Sequence, residues 1–154
     1  MRKKLFRKGL FCMDINYIDE WFQYADDDLE SAEFLQRMHK QPLHIICYHC
    51  QQSAEKYLKG YLFYSGIVDV PKTHDLVILR EKCEEFDEHF SNIEHPCGVL
   101  TKYGVQPRYP RELKIENNDM QKALKYAQQI RDFEPLMQVR QKIALELSKK
   151  AAQK

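Results

Sequence analysis

Apolar residues recur at steps of three and four over five stretches of this chain, the spacing of one face of an α-helix. The longest stretch runs from Pro42 to Gly66, PLHIICYHCQQSAEKYLKGYLFYSG. Pro42 suits a first helical turn, where a missing N–H costs nothing, and Gly66 suits the left-handed residue just past a helix end. Leu43, Cys47, Cys50, Ala54, Tyr57, Leu58, Tyr61 and Ser65 form its apolar or small stripe. Beside it, Tyr48, Gln51, Gln52, Glu55 and Lys59 share a polar flank linked by four-residue steps. Upstream, the spacing predicts a helix from Asp14 to about Met38. Its apolar side carries Ile18, Trp21, Ala25, Leu29, Ala32 and Leu35, with the acidic run Asp26-Asp27-Asp28 on the exposed side. The short break Lys40-Gln41-Pro42 makes these two helices antiparallel neighbours.

Thr73-His74-Asp75-Leu76 opens a third helix, with Thr73 as its N-cap and Asp75 in a first turn that favours negative charge. Leu76, Leu79, Cys83, Phe86 and Phe90 supply its stripe. The pattern lapses at Pro96 and Gly98, before a short turn holding Val99, Leu100 and Tyr103. From Gly104 to Asn118 the sequence is irregular, and two prolines fix the segment around Arg108-Tyr109. The period returns at Asp119 with Met120, Ala123, Leu124, Ala127 and Ile130. Pro135 should kink or end that helix. Leu136, Val139, Ile143 and Leu147 then lead into a basic, frayed tail. No repeat, strand pattern or interdomain linker interrupts this order. The fold class is all-α, an up-and-down bundle of four to five helices in one domain over residues 14–150. A basic stretch, residues 1–13, precedes it, either as a disordered arm or as residues upstream of a start at Met13.

Composition narrows the function only a little. Among 154 residues, 24 Lys and Arg stand against 23 Asp and Glu, so no net field draws the whole molecule to nucleic acid or an anionic membrane. No apolar run is long enough to cross a membrane, and a cytoplasmic location is expected. Five cysteines without a dense framework suit a reducing compartment. Cys47 and Cys50 form C-x-x-C, but they lie on an apolar helical stripe and no second pair completes a zinc site, so both read as core residues.

Several residue groups carry candidate chemistry. Glu55, Lys56 and Lys59 form either a charged recognition strip or an intrahelical pair on a wet face. Gln51 and Gln52 can donate and accept toward a base edge, a partner's backbone or one another. His74, at a helix start that favours anions, suits phosphate contact or proton transfer, or else ties its loop to the bundle. Arg108-Tyr109 sets a planar cation beside an aromatic ring, as a phosphate-and-base grip or a loop anchor would. No glycine-rich phosphate loop, paired-carboxylate metal motif or nucleophile elbow is present, so no catalytic residue, cofactor or metal is assigned.

Four motifs stand in a recognisable order: Trp21, Ala25, Asp28, Leu29 and Ala32; then Gln52, Ala54, Glu55, Lys56, Leu58 and Lys59; then Lys72 to Leu76, KTHDL; then Arg108 to Pro110, RYP. In that order they resemble the HEPN domain family over about Ile15 to Arg131. The resemblance implies a helical bundle, like the substrate-binding subunits encoded beside minimal nucleotidyltransferases, that commonly pairs as a homodimer. Some members bind nucleotides or a nucleotidyltransferase; others are metal-independent RNase toxins carrying an Arg, four to six residues, then a His. Here no His follows Arg108, Arg80 to His89 is too long a gap, and Arg37 to His44 straddles Pro42. The expected function is therefore non-catalytic binding of a nucleotide or RNA end, of a minimal nucleotidyltransferase, or of both, within a toxin–antitoxin type module. The alternative is a dimeric RNase. Ile45 and Phe63, on the far side of the long helix, would be left in water by a lone bundle and point to a homodimer. The family pattern also suggests that Gln52, Glu55, Lys59, Thr73, His74, Asp75, Arg108 and Tyr109 share one ligand site. There an anion would meet the N–H groups of the third helix, Arg108 and Lys59, with Glu55 orienting Arg108 or His74.

Overall fold

A computed structural model of the chain describes residues 14–104 and 113–154. The described residues form six α-helices: α1 (Ile15–Leu35), α2 (Leu43–Tyr64), α3 (Leu76–Glu84), α4 (Glu94–Leu100), α5 (Asn117–Arg131) and α6 (Glu134–Ala152). Two 3₁₀ segments, Glu88–Ile93 and Thr101–Tyr103, flank α4, and no strand occurs among the described residues. Four helices are long and two are short.

α2 is the central element. Its C-terminal end forms for the reason legible in the sequence, whereas Pro42 stands one position before the first turn expected of it. Pro42 sits at the N-cap, and Gly66 takes a positive φ of 89° while its N–H and that of Ile67 bond back to Phe63 and Leu62. That pair of bonds closes the last turn and satisfies two carbonyls that a helix end would otherwise orphan. The core engages far more of α2 than the single predicted stripe. Ile46, Gln51, Ser53, Glu55 and Leu62 are buried together with Cys47, Cys50, Ala54, Tyr57, Leu58 and Tyr61. The flank carrying Gln51 and Glu55 is thus not a wet face.

α1 runs antiparallel to α2, since Tyr17, Phe22, Ala25 and Asp28 meet Phe63, Tyr57, Ser53 and His49 in turn. Asp14 caps α1 through its side chain, and the helix ends at Leu35, three residues before the expected limit. Phe22, not Trp21, fills the core position. Trp21 lies one helical step round and packs at the margin against Tyr17 and Phe63. Phe63 is therefore half-buried within this one chain, and so is Ile45, which removes the apolar-patch reason for expecting a dimer.

Downstream, several punctuation residues act differently from expectation. α3 starts at Leu76 with Asp75 as its N-cap, and Phe86 falls beyond the helix end. Pro96 and Gly98 lie inside α4. Pro96 is in its first turn, where no N–H is required, and its ring is buried. Pro135 does not kink α5. That helix ends at Arg131, and Pro135 sits in the first turn of α6. α6 then continues through Lys149 and Lys150 to Ala152, so the basic tail is helical, with its lysines in a last turn that favours cations. None of the helices with described residues is long and apolar enough to cross a membrane.

Candidate functional site

Glu55 is the centre of the site. It lies on α2 with its side chain only 7% exposed, and two elements bring donors to its carboxylate. From the same helix, Lys59 Nζ approaches Oε1 at 2.8 Å, and Gln51 Nε2 donates to Oε2 at 3.1 Å. From the loop before α3, His74 Nδ1 lies 3.2 Å from Oε1 and 3.1 Å from Oε2. Gln52 donates to Gln51 Oε1 at 2.7 Å, and Gln51 also donates to the His74 carbonyl at 3.0 Å. The predicted Glu55–Lys59 pair exists, yet it is nearly enclosed, with Lys59 at 12% exposure. Burial alone would push the Glu55 carboxyl up. Hydrogen bonds from Lys59, His74 and Gln51, with the charge of Lys59, nevertheless hold it below the usual carboxylate range.

The His74 side chain is 64% exposed and is the outward member of the cluster. With Nδ1 directed at a carboxylate, the Nδ1–H tautomer is favoured and Nε2 is left for a ligand. The flanking residues hold it there. Thr73 Oγ1 accepts the Asp75 N–H at 3.0 Å, and Asp75 Oδ1 accepts from Val77 at 2.9 Å and Ile78 at 3.4 Å. Thr101 Oγ1 accepts the Leu76 N–H at 3.0 Å. The N–H groups that open α3 are thereby occupied by the protein's own side chains. Thr73 and Asp75 serve His74 by fixing the backbone on either side of it.

Gly104 closes the arrangement. A Cβ there would stand 2.9 Å from Gln51 Nε2 and 3.3 Å from the His74 carbonyl oxygen, so the backbone passes directly over the glutamine amide. The segment bearing Arg108 and Tyr109 departs from this residue. Arg108 and Tyr109 themselves lie outside the described residues, 105–112 being the interval concerned. Of the sequence candidates, Gln52, Glu55, Lys59 and His74 thus meet directly, and Thr73 and Asp75 support them.

A second group of the same composition was not legible in the sequence. Asp28 on α1 accepts from Lys56 Nζ and lies 2.8 Å from His49 Nδ1, so it too holds one lysine and one histidine. Asp26, nearby, accepts from the Tyr57 hydroxyl and from Arg140 of α6. Of the acidic run, only Asp27 is exposed; Asp26 and Asp28 are half-buried. These partnerships cross between helices, and no local spacing announces them.

Cys47 and Cys50 are completely buried, and desolvation pushes the Cys47 thiol up to about 12 and that of Cys50 higher still, as suits inert core thiols. Among the described residues no three His, Cys, Asp or Glu side chains are grouped to hold a metal ion.

The fold is shared with two solved structures. One is TT1696 from Thermus thermophilus, 24% identical, covering 80% of this chain and 98% of that one with a TM-score of 0.65. The other is ST0689, an archaeal HEPN homologue, 22% identical, covering 82% and 97% with a TM-score of 0.55. No curated protein matches the chain. The family model of the HEPN domain matches residues 18–137, a span that contains most of α1, α2 to α5, the start of α6 and every member of the Glu55 cluster, and the chain belongs to the HEPN domain family.

Proposed function

We propose that this chain binds the phosphate-bearing end of a nucleotide or RNA at the Glu55 cluster, without cleaving it. One observation carries the reading: a nearly enclosed carboxylate holds the exposed His74 ring by Nδ1, beside the residue from which the Arg108–Tyr109 segment departs. Lys59 contributes little direct attraction, since its charge is neutralised by Glu55. The N–H groups of α3 are excluded as an anion cradle because Asp75 and Thr101 already fill them. Affinity then comes from the Nε2–H of His74 in its protonated form, with Nδ1–H still held by Glu55, from the Arg108 guanidinium, and from Tyr109 stacking on a base. His74→Ala and Arg108→Ala are each expected to weaken binding of nucleotides or a short RNA about tenfold or more, the loss of one charge-assisted contact worth ~1.5–3 kcal/mol. Calorimetric titration of folded variants measures this. Equal affinity of both variants and wild type would move the site elsewhere.

The Glu55–His74 pair favours a second reading, because an imidazole oriented by a carboxylate is what a general base requires. Cleavage of RNA also needs a cation at the phosphate, and no His follows Arg108 in the arrangement the RNase members carry. Incubation with total RNA and no metal is expected to leave it intact. Cleavage that vanishes in His74→Ala would establish the RNase reading instead.

A homodimer and a minimal nucleotidyltransferase partner belong to the same proposal, supported by family membership. Light scattering at micromolar concentration is expected to give twice the chain mass, and a clean value near 18.5 kDa would remove the dimer.

A further inference from the structure

A groove of about 610 Å³ opens between α1 and the first half of α2, lined by Asp27, Glu30, Ser31, Phe34, Leu35 and His49. Asp28, beside it, is spent on His49 and Lys56, whereas Asp27 and Glu30 have no ionic partner among the described residues. Phe34 is 67% exposed, and Tyr24 continues the same face at 58%. Whatever covers this surface must be basic and apolar together. The carboxylates of Asp27 and Glu30, without a cation among the described residues, repel a nucleic acid.

Residues 1–13, MRKKLFRKGLFCM, match that requirement. They carry Arg2, Lys3, Lys4, Arg7 and Lys8, no acidic residue, and the apolar side chains Leu5, Phe6, Leu10 and Phe11. They also begin in the right place, since they join α1 at its own cap, Asp14. Glu30 and Phe34 lie ~24 and ~30 Å along the helix from Asp14 at 1.5 Å per residue. An extended chain covers at most ~3.3–3.6 Å per residue, so Arg7 reaches Glu30 at full stretch and Lys4 and Lys3 reach it with slack for a reversal. From this complementarity of charge, apolar content and reach, we infer that residues 1–13 dock in cis onto the α1–α2 groove. Their cations meet Asp27 and Glu30, and their apolar side chains cover Phe34 and Leu35.

Paramagnetic broadening in the full chain tests this. A spin label goes on Lys3→Cys in a Cys12→Ser background; the other four cysteines are fully buried and do not compete for it. The amide signals of Ser31 to Leu35 should be lost, those near His74 retained, and the lost signals should return when Asp27→Lys and Glu30→Lys are combined. Broadening confined to the first turns of α1 would overturn the inference. So would broadening that persists between spin-labelled and isotope-labelled chains in a mixed sample, which places the segment on a second copy.

Discussion

Glu55→Ala is expected to destabilise the bundle by about 3 kcal/mol, the lower end of the ~3–5 kcal/mol seen when one partner of a buried ion pair is removed. Lys59 is left without its anion at 12% exposure. Gln51, fully buried, loses an acceptor, though it keeps the His74 carbonyl. The value stays at the lower end because a lysine stem bends its ammonium toward water, and because His74 is already exposed. The carboxyl's depressed pKa also sets a pH signature. A group whose folded value lies below its unfolded value, ordinarily 4.5 here, stabilises the fold above that value and loses this contribution as pH falls through the lower, folded one. Wild type should therefore lose stability on acidification below 4.5, while Glu55→Gln starts less stable and shows a shallower loss. Urea unfolding followed by circular dichroism across that range measures both. If Glu55→Ala unfolds within ~0.5 kcal/mol of wild type, the cluster is a surface decoration and not a stabilised site.

What could be read from the sequence follows the range of each interaction. Pro42 and Gly66 bounded α2 correctly because proline and glycine act through their own backbone, whatever surrounds them. The Glu55–Lys59 pair was visible because four residues separate its members on one helix. Its burial was not, since that depends on the loop before α3 and on Gly104, both distant in sequence. Trp21 and Phe22 differ by one helical step, about 100°, which a stripe of apolar positions does not resolve. Thr73 and Asp75 are both good caps, and the choice fell to Asp75 because Thr73 instead accepts the Asp75 N–H. The Asp28 group was invisible: its three members come from two helices, and their pairing is a product of the packing. Motif order, not periodicity, drew His74 into the site.

Asp26→Ala should cost ~2–4 kcal/mol, from a buried donor left unsatisfied and a cation left unpaired. Asp26 joins three helices. It accepts from the hydroxyl of Tyr57 on α2 and from Arg140 on α6, whose guanidinium carbon lies 5.5 Å from the Tyr57 ring centre and 6.0 Å from that of Phe22. Tyr57 is completely buried, and burial together with the Asp26 carboxylate pushes its phenol far above the ordinary value, so it stays a donor. Without Asp26 that donor has no partner. Tyr57→Phe in the Asp26→Ala background removes the orphan while keeping the ring that Arg140 covers. The double variant should accordingly be destabilised by less than the sum of the two single changes, with a coupling of about 1–2 kcal/mol. Arg140→Met keeps much of the stem against both rings and tests the remaining share, which should be small because the Arg140 side chain is 30% exposed. Equal and additive losses would mean that water satisfies Tyr57 as well as Asp26 does.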